Sequence, residues 1–312
     1  MKLSPIVIFT YRRVPEQLIK SLLENSLSEQ SEVFIFSDGA KNDEDLTDIK
    51  KVREYLKTID GFKSIDIIEA DTNKGLATSI IGGVTQVINK YGKAIVLEDD
   101  LVVSKSFLEY MNEGLVFFEN DKKIWSISGY GPELPCLKNY NDDIYLSVRV
   151  SPWGWATWSD RWEKIDWEVK DYDEIKKSGV LQKKFNLAGN DMFKMLELQM
   201  LGKIDSWAVL WYYNQFKLKT YSVYPKKSKV VNIGFSDDKG THTSGANEKW
   251  FVELNDEHVD FKSIHMKKEV IQCFQSFHNL ILTTKMGYFL KKHGGYKVGK
   301  SIYEYIRKYI GI

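Results

Sequence analysis

Through the first 130 residues, short unbroken apolar runs alternate with longer stretches of helical period. IVIFT (6–10), EVFIFSDG (32–39), SIDIIEA (64–70), KAIVLED (93–99) and IWSISGY (124–130) predict strands that end in polar or turn-forming residues. Between them, PEQLIKSLLENSL (15–27) predicts a helix with Pro15 near its first turn, where a missing N–H loses no helical bond. In DLTDIKKVREYLKTI (45–59), Leu46, Ile49, Val52, Leu56 and Ile59 share one helical face. GLATSIIGGVTQVINKY (75–91) and SFLEYMNEGLVFFEND (106–121) complete the helices. Strands separated by helices of this length predict an α/β fold, a mostly parallel central sheet with helices on both faces.

Beyond residue 130 the periodicity loosens. Residues 131–146 read as a loop, and SVRVSPWGWATWSDRWEKIDW (147–167) packs five tryptophans into one stretch. Gly154, between Trp153 and Trp155, predicts a tight backbone passage against a ligand. Residues 186–220 read as mostly helical with a break near Gly202; YSVYP (221–225) and KVVNIG (229–234) predict strands, and DDKGTHTSG (237–245) a loop. Residues 1–130 and 131–284 are expected to pack as one body. From 285 to 312 the chain carries seven Lys/Arg against one acid, Glu304, with Ile302, Tyr305, Ile306, Tyr309 and Ile310 at helical spacing. That pattern suits a basic amphipathic helix, either docked with a solvated face or lying on a lipid surface.

Composition narrows the class. Apolar residues at 43% and charged residues at 28% are ordinary for a globular protein, and a formal net charge of +1 argues against a general nucleic-acid binder. Aromatic content is high, at 13% with 9 Trp and 17 Tyr; such rings fill cores first and line sugar or base sites second. Cys136 and Cys273 are too few for a disulfide scaffold and lack metal-knuckle spacing. The apolar run that opens the chain is too short for a leader, and no stretch has the length to cross a bilayer. A cytoplasmic location is expected, with peripheral membrane contact open to the C-terminal tail.

In open sheets of this kind ligands sit at the carboxyl ends of the strands. Four polar stretches fall there: Thr10-Tyr11-Arg12-Arg13, Ser37-Asp38-Gly39, the Asp71, Asn73, Lys74, Gly75 stretch, and Glu98-Asp99-Asp100. Three adjacent acids after AIVL repel one another and are penalised by desolvation. A divalent cation carrying a diphosphate would offset that; a solvated turn whose acids cap the next helix is the bland alternative. Strand alternation predicts Glu98 and Asp100 on one side and Asp99 on the other. Asp38 either accepts hydrogen bonds from a base or ribose or closes an Asx turn. One of Arg12 and Arg13 suits a phosphate, the other a surface. Trp153, Trp155 and Trp158 either face a sugar or plug a junction. Asp191 and Asp205, each ahead of a helix, are candidate general bases or N-caps. His242 is the best-placed histidine for metal or phosphate.

The quoted residues resemble a family. IVIFTYRRVPEQL, VFIFSDG, VLEDDLVVSKSFLEYMNEGL, IWSISGY and SVRVSPWGWATWSDRW, with weaker likeness through DSWAVLW, YPKKSKVVNIGF and THTS, resemble metal-dependent glycosyltransferases of the GT-A fold. The nearest type is the bacterial sugar transferases akin to the animal Golgi N-acetylglucosaminyltransferase that starts complex N-glycans. The resemblance implies Asp100 as ligand of Mn²⁺ or Mg²⁺ bridging a donor diphosphate, with Glu98 and Asp99 toward the sugar and ribose. It implies Arg13 and Asp38 in nucleotide binding, joined by Thr10, Asn73 and Lys74 at the strand ends, and His242 in a late loop over donor or metal. It implies Asp205, ahead of Trp207, as catalytic base, with Asp191 the runner-up. GWATW, with Trp153, Trp155 and Trp158, and Trp207 would shape the acceptor side. Residues 1–130 become the nucleotide-sugar half and 131–284 the acceptor half. The implied reaction is inverting transfer from a nucleotide sugar, UDP-linked and GlcNAc by analogy, to a saccharide or lipid-linked saccharide. Two other classes are weighed beside it. A sugar-phosphate nucleotidyltransferase would carry a glycine-rich loop where TYRRVPEQ has none; a non-catalytic carbohydrate-binding protein would not need the acids.

Overall fold

In the computed structural model, which describes residues 2–234, 248–280, 290 and 292, β1 (Ile6–Thr10) lies within a parallel set. β2 (Glu32–Ser37), β3 (Ser64–Glu69) and β4 (Lys93–Glu98) join it in the order β3-β2-β1-β4, connected by α1 (Glu16–Leu23), α2 (Leu46–Leu56) and α3 (Leu76–Tyr91). After the short β5 (Leu101–Val103) and α4 (Phe107–Phe117) come β6 (Ile124–Ser128), β7 (Ile144–Ser147) and β8 (Trp155–Trp158). Helices α5 (Ser159–Trp162), α6 (Tyr172–Lys177), α7 (Gly179–Phe185), α8 (Met192–Met200) and α9 (Trp207–Leu218) precede β9 (Tyr221–Pro225), β10 (Val230–Asn232) and α10 (Lys268–Phe277). The main sheet has eight strands in the order β3-β2-β1-β4-β8-β6-β9-β7, and β10 pairs antiparallel with β5 in a small second sheet.

Alternation along β1 explains the two layers. Ile6 and Ile8 point into a core closed by Leu18 and Leu22 of α1, Val52 of α2 and Phe107 and Met111 of α4. Val7 and Phe9 point the other way, against Ile80 and Val84 of α3, Leu196 of α8 and Trp211 of α9. A strand apolar on both faces needs helices on both, as the sequence pattern predicted. Each such side chain, fully buried, contributes roughly 1.5–3 kcal/mol.

The second half departs from the sequence reading in two places. Residues 131–146, expected as a loop, contain β7, which pairs antiparallel with β9. WATW is β8, inserted antiparallel between β4 and β6, so the sheet runs through the boundary near residue 130 without a break. β8 is hard to read because both its faces are buried: Trp155 packs into one layer and Trp158 into the other, leaving no polar alternation. The Thr157 hydroxyl between them donates to Trp125 O at 2.7 Å and the Trp158 indole N–H to Leu115 O at 3.0 Å, so both polar groups are satisfied in the interior. Gly154 has φ +60°, and its close passage is against the protein interior, where a Cβ would lie 2.8 Å from Val230, and not against a ligand.

β10 is anchored from behind by a buried cation. Lys229 is 0% exposed, and its ammonium donates to Ser106 Oγ at 2.9 Å, to Asn255 O at 2.8 Å and to Glu257 O. Desolvation pushes this amine down to about 8. The strand leading to Asn232 is thereby fixed against β5, which matters for the site below.

Candidate active site

Parallel register brings the predicted polar stretches together. Thr10 stands opposite Ser37, and Phe9 opposite Glu98, so the segments that follow β1, β2 and β4 leave one edge of the sheet side by side. The Asp71–Gly75 segment, after β3, is drawn onto the same edge by Asp38.

Asp38 is buried, and each of its carboxylate oxygens accepts two hydrogen bonds. Oδ1 accepts from Gly39 N at 2.9 Å and Lys74 N at 2.8 Å; Oδ2 accepts from Asn73 Nδ2 and Gly75 N, both at 3.1 Å. Four donors fill the lone-pair sites of a carboxylate, so Asp38 shapes the 73–75 loop. A Cβ at Gly39 would sit 2.4 Å from Thr72 backbone, which is why the Asp-Gly pair stands there. Arg53 of α2, which the sequence reading did not single out, donates to Ala70 O at 2.7 Å and to Asp38 O at 3.4 Å, tying the ends of β2 and β3. The Lys74 side chain is exposed, with no partner among the described residues.

The acids sit differently from the alternation expected of a strand. β4 ends at Glu98, and Asp99 and Asp100 form a turn, so both face the same guanidinium: Arg13 Nη1 lies 3.5 Å from Asp99 Oδ1 and 3.7 Å from Asp100 Oδ2. Tyr11 N donates to Asp99 Oδ2 at 3.1 Å, and Thr10 Oγ1 closes the preceding turn on Arg13 O at 2.9 Å. Arg12 turns away to Asp45 and Asp48 at 3.1 and 3.2 Å, which makes it the surface member of the pair. Burial, with Asp100 alongside, pushes the Asp99 carboxyl up to about 7 and holds Glu98 well above the usual carboxylate range. Repulsion within the triplet is thus incompletely offset by protein groups.

Asn232 and Gly234 complete this corner, and the sequence reading missed both as site residues. Asn232 Nδ2 donates to Asp100 Oδ2 at 3.1 Å, its Oδ1 accepts from Gly234 N at 2.8 Å, and Ile233 N donates to Asp100 O at 2.8 Å. A Cβ at Gly234 would lie 2.4 Å from Asp100 Oδ2, so the chain passes against the carboxylate. The available signal was a strand, KVVN, running into a glycine; its partner across more than a hundred residues was not legible.

The remaining candidates separate. Asp205 is exposed just ahead of α9 and comes up to the start of α3, where a Cβ on Gly75 would be 3.5 Å from its Oδ2. Asp191 is buried, with both oxygens held by Arg149 at 2.8 Å, which commits it to an interior ion pair. Trp155, Trp158 and Trp207 are each no more than 2% exposed and belong to the cores; Trp153 is partly exposed, edge-on to Tyr130 and Trp250. The sugar-facing expectation for the three interior rings gives way to packing, because no face of them reaches solvent. His242 and the basic tail lie outside the described residues, apart from Leu290 and Lys292. Elsewhere, Glu109 and Glu113 on α4 cluster with His258 on the surface, removed in sequence from every strand end named above.

Beside the Arg149–Asp191 pair, His278 is buried, stacked on Phe274 at 4.6 Å and edge-on to Trp250 and Phe277. Burial and the Arg149 charge, with Lys249 adding to them, hold its imidazole well below the ordinary value, while Phe274 O opposes. The unfolded chain therefore takes up the proton first. This site's contribution is fully present above about pH 6.5 and is lost as pH falls below it, at up to about 1.4 kcal/mol per pH unit. His278→Gln is expected to flatten the decline of Tm between pH 7 and pH 5; an identical pH profile would refute this.

Residues 1–174 match the GNT-I family, more than half of the chain and the stretch that carries Arg13, Asp38 and the acidic turn. The chain belongs to the GNT-I family. No curated protein matches this GNT-I family member. Among solved structures it is similar to GalNAc-T7 with UDP, GalNAc and Mn²⁺, at 13% identity and a TM-score of 0.46 over 76% of this chain and 45% of that one. It is also similar to S. aureus TarS 1–349, at 12% identity and a TM-score of 0.37, covering 74% of this chain and 60% of that one. At those scores neither likeness bears on the site, and this family member spans about half to three-fifths of their length.

Proposed function

We propose that the protein moves a sugar from a nucleotide-diphosphate donor to a saccharide acceptor by an inverting single displacement. The observation that carries this reading is the convergence of the Asp38-held loop, Arg13 and the Glu98–Asp100 turn on one edge of the sheet. The donor set is all carboxylate oxygen, hard ligands suited to Mn²⁺ or Mg²⁺, and the raised affinity of Glu98 and Asp99 for protons marks negative charge that a cation would neutralise. Asp100 would hold that cation, with Asp99 beside it, and the ion when bound supplies charge neutralisation for the departing diphosphate.

The chain's own residues do the rest. Arg13 sits where its guanidinium can grip a phosphate oxygen, and the exposed Lys74 ammonium lies on the loop that Asp38 shapes. Asp38 acts through the 73–75 backbone and positions the nucleotide side. Asp205, exposed ahead of α9 and facing the start of α3, takes the proton from the acceptor hydroxyl as it attacks the anomeric carbon. Trp153 offers a partly exposed ring to the acceptor. On this reading residues 1–130 are the donor half and residues 131–284 the acceptor half. UDP is the expected nucleotide and GlcNAc the expected sugar. A lipid-linked saccharide is the acceptor class that suits the basic tail at a cytoplasmic membrane face; no helix among the described residues is long and apolar enough to cross a membrane.

The test is a panel of nucleotide sugars with Mn²⁺, read first as thermal shift and then as nucleoside diphosphate release on addition of saccharide acceptors. One donor should raise Tm in a Mn²⁺-dependent way and release its nucleoside diphosphate. Release of pyrophosphate from a sugar phosphate and nucleoside triphosphate would replace this reading with nucleotidyl transfer. Saccharide binding without donor binding would replace it with a carbohydrate-binding role.

A further inference from the structure

The two cysteines of the chain, Cys136 and Cys273, lie far apart in sequence, yet the fold brings them into contact. Cys136 sits in the turn Pro135–Leu137 and Cys273 on α10, and the Cys136 N–H donates to Cys273 Sγ at 3.4 Å. Both residues are partly exposed, and Cys273 opens onto a cavity of about 550 Å³ that Glu133, Pro135, Lys249 and Phe277 also line. Apolar packing does not require sulfur here, because Leu134, Leu137, Val270 and Phe274 already join the turn to the helix.

We propose that Cys136 and Cys273 form a redox-responsive disulfide that fastens α10 to the Pro135–Leu137 turn. A disulfide needs the two sulfurs at roughly 2 Å, and the Cys273 sulfur already lies 3.4 Å from the Cys136 backbone nitrogen. The oxidant is a small-molecule disulfide of the glutathione class, admitted by the exposure of both residues. One protein thiolate attacks it, forming a mixed disulfide and releasing one glutathione thiol; the second protein thiolate then displaces the other glutathione. Two protein S–H bonds are lost, one protein S–S bond forms, and the glutathione disulfide is reduced to two thiols. Burial and the neighbouring sulfur push the Cys136 thiol up to about 12, which keeps it mostly protonated until the partner sulfur is engaged. The closed bond would join positions 137 residues apart, the kind of long loop whose constraint most reduces the freedom of the unfolded chain. It would also fix the cavity wall and the end of α10 that carries His278.

The full chain is equilibrated in glutathione buffers from fully reduced to fully oxidised, quenched with acid, and read by intact mass, non-reducing peptide mapping and Tm. The expected product is a monomer lighter by about 2 mass units with one joined peptide. It should have a Tm several degrees above the reduced protein and revert on addition of reduced glutathione. Cys136→Ser and Cys273→Ser, both conservative in size, should each abolish the mass change and the Tm rise. Glutathione adducts on both thiols, or bonds between chains alone, would overturn the proposal. A joined peptide with unchanged Tm would overturn the fastening, and a bond that reduced glutathione leaves intact would overturn the redox response. None of these readouts depends on sugar transfer, so the outcome stands apart from the proposed activity.

Discussion

Asp100→Asn is expected to lower kcat for sugar transfer about a thousandfold and to abolish the Mn²⁺-dependent tightening of nucleoside diphosphate binding. The substitution keeps the volume and removes one negative charge from a turn where three carboxylates compete. The Asp100 charge helps raise the protonation of both Glu98 and Asp99, so it is a burden on the metal-free fold. The same variant should therefore keep or raise Tm in the absence of metal while losing activity. That opposite movement separates a ligand from a structural residue, since a residue needed for packing would lose both together. Calorimetric titration of UDP with and without Mn²⁺ reads the coupling directly; coupling equal to the parent protein would remove Asp100 from the site.

Asp205→Asn should lower kcat by about 10²- to 10⁴-fold while the donor Kd stays within about twofold. Exposure on the rim beside Gly75 makes a stability effect small. Asp191→Asn supplies the contrast. It strips one charge from a buried pair in which Arg149 Nη1 and Nη2 each lie 2.8 Å from a carboxylate oxygen, and is expected to destabilise by about 3 kcal/mol. Steady-state kinetics and thermal melts on both variants distinguish them. Transfer retained in Asp205→Asn but lost in a normally stable Asp191→Asn would reverse the assignment of the base.

The triplet was the most legible part of the site, because acids following AIVL without a break violate the usual pattern of a buried strand. Its local geometry was less so: alternation predicted Asp99 pointing away from Asp100, but β4 stops one residue earlier and the turn faces both toward Arg13. Arg13 was separated from Arg12 by the family resemblance, and the physical reason became visible once Asp45, just before α2, and Asp48, within it, met Arg12. The tryptophan cluster misled in the other direction. A ring that stacks on a sugar and a ring that fills a core have the same sequence signature, and burial decided for the core at Trp155, Trp158 and Trp207.

By itself the sequence determined the layered α/β architecture of the first 130 residues and the edge of the sheet where polar residues gather. Both follow from local periodicity and from the parallel register that short crossover helices impose. Only the tertiary structure decided which distant groups meet there. Asn232 reaches Asp100, Asp38 captures the 73–75 loop, Arg149 occupies Asp191, and Cys136 finds Cys273. Such pairings are set by packing between elements far apart in the chain, and side-chain type at a single position carries no record of its partner.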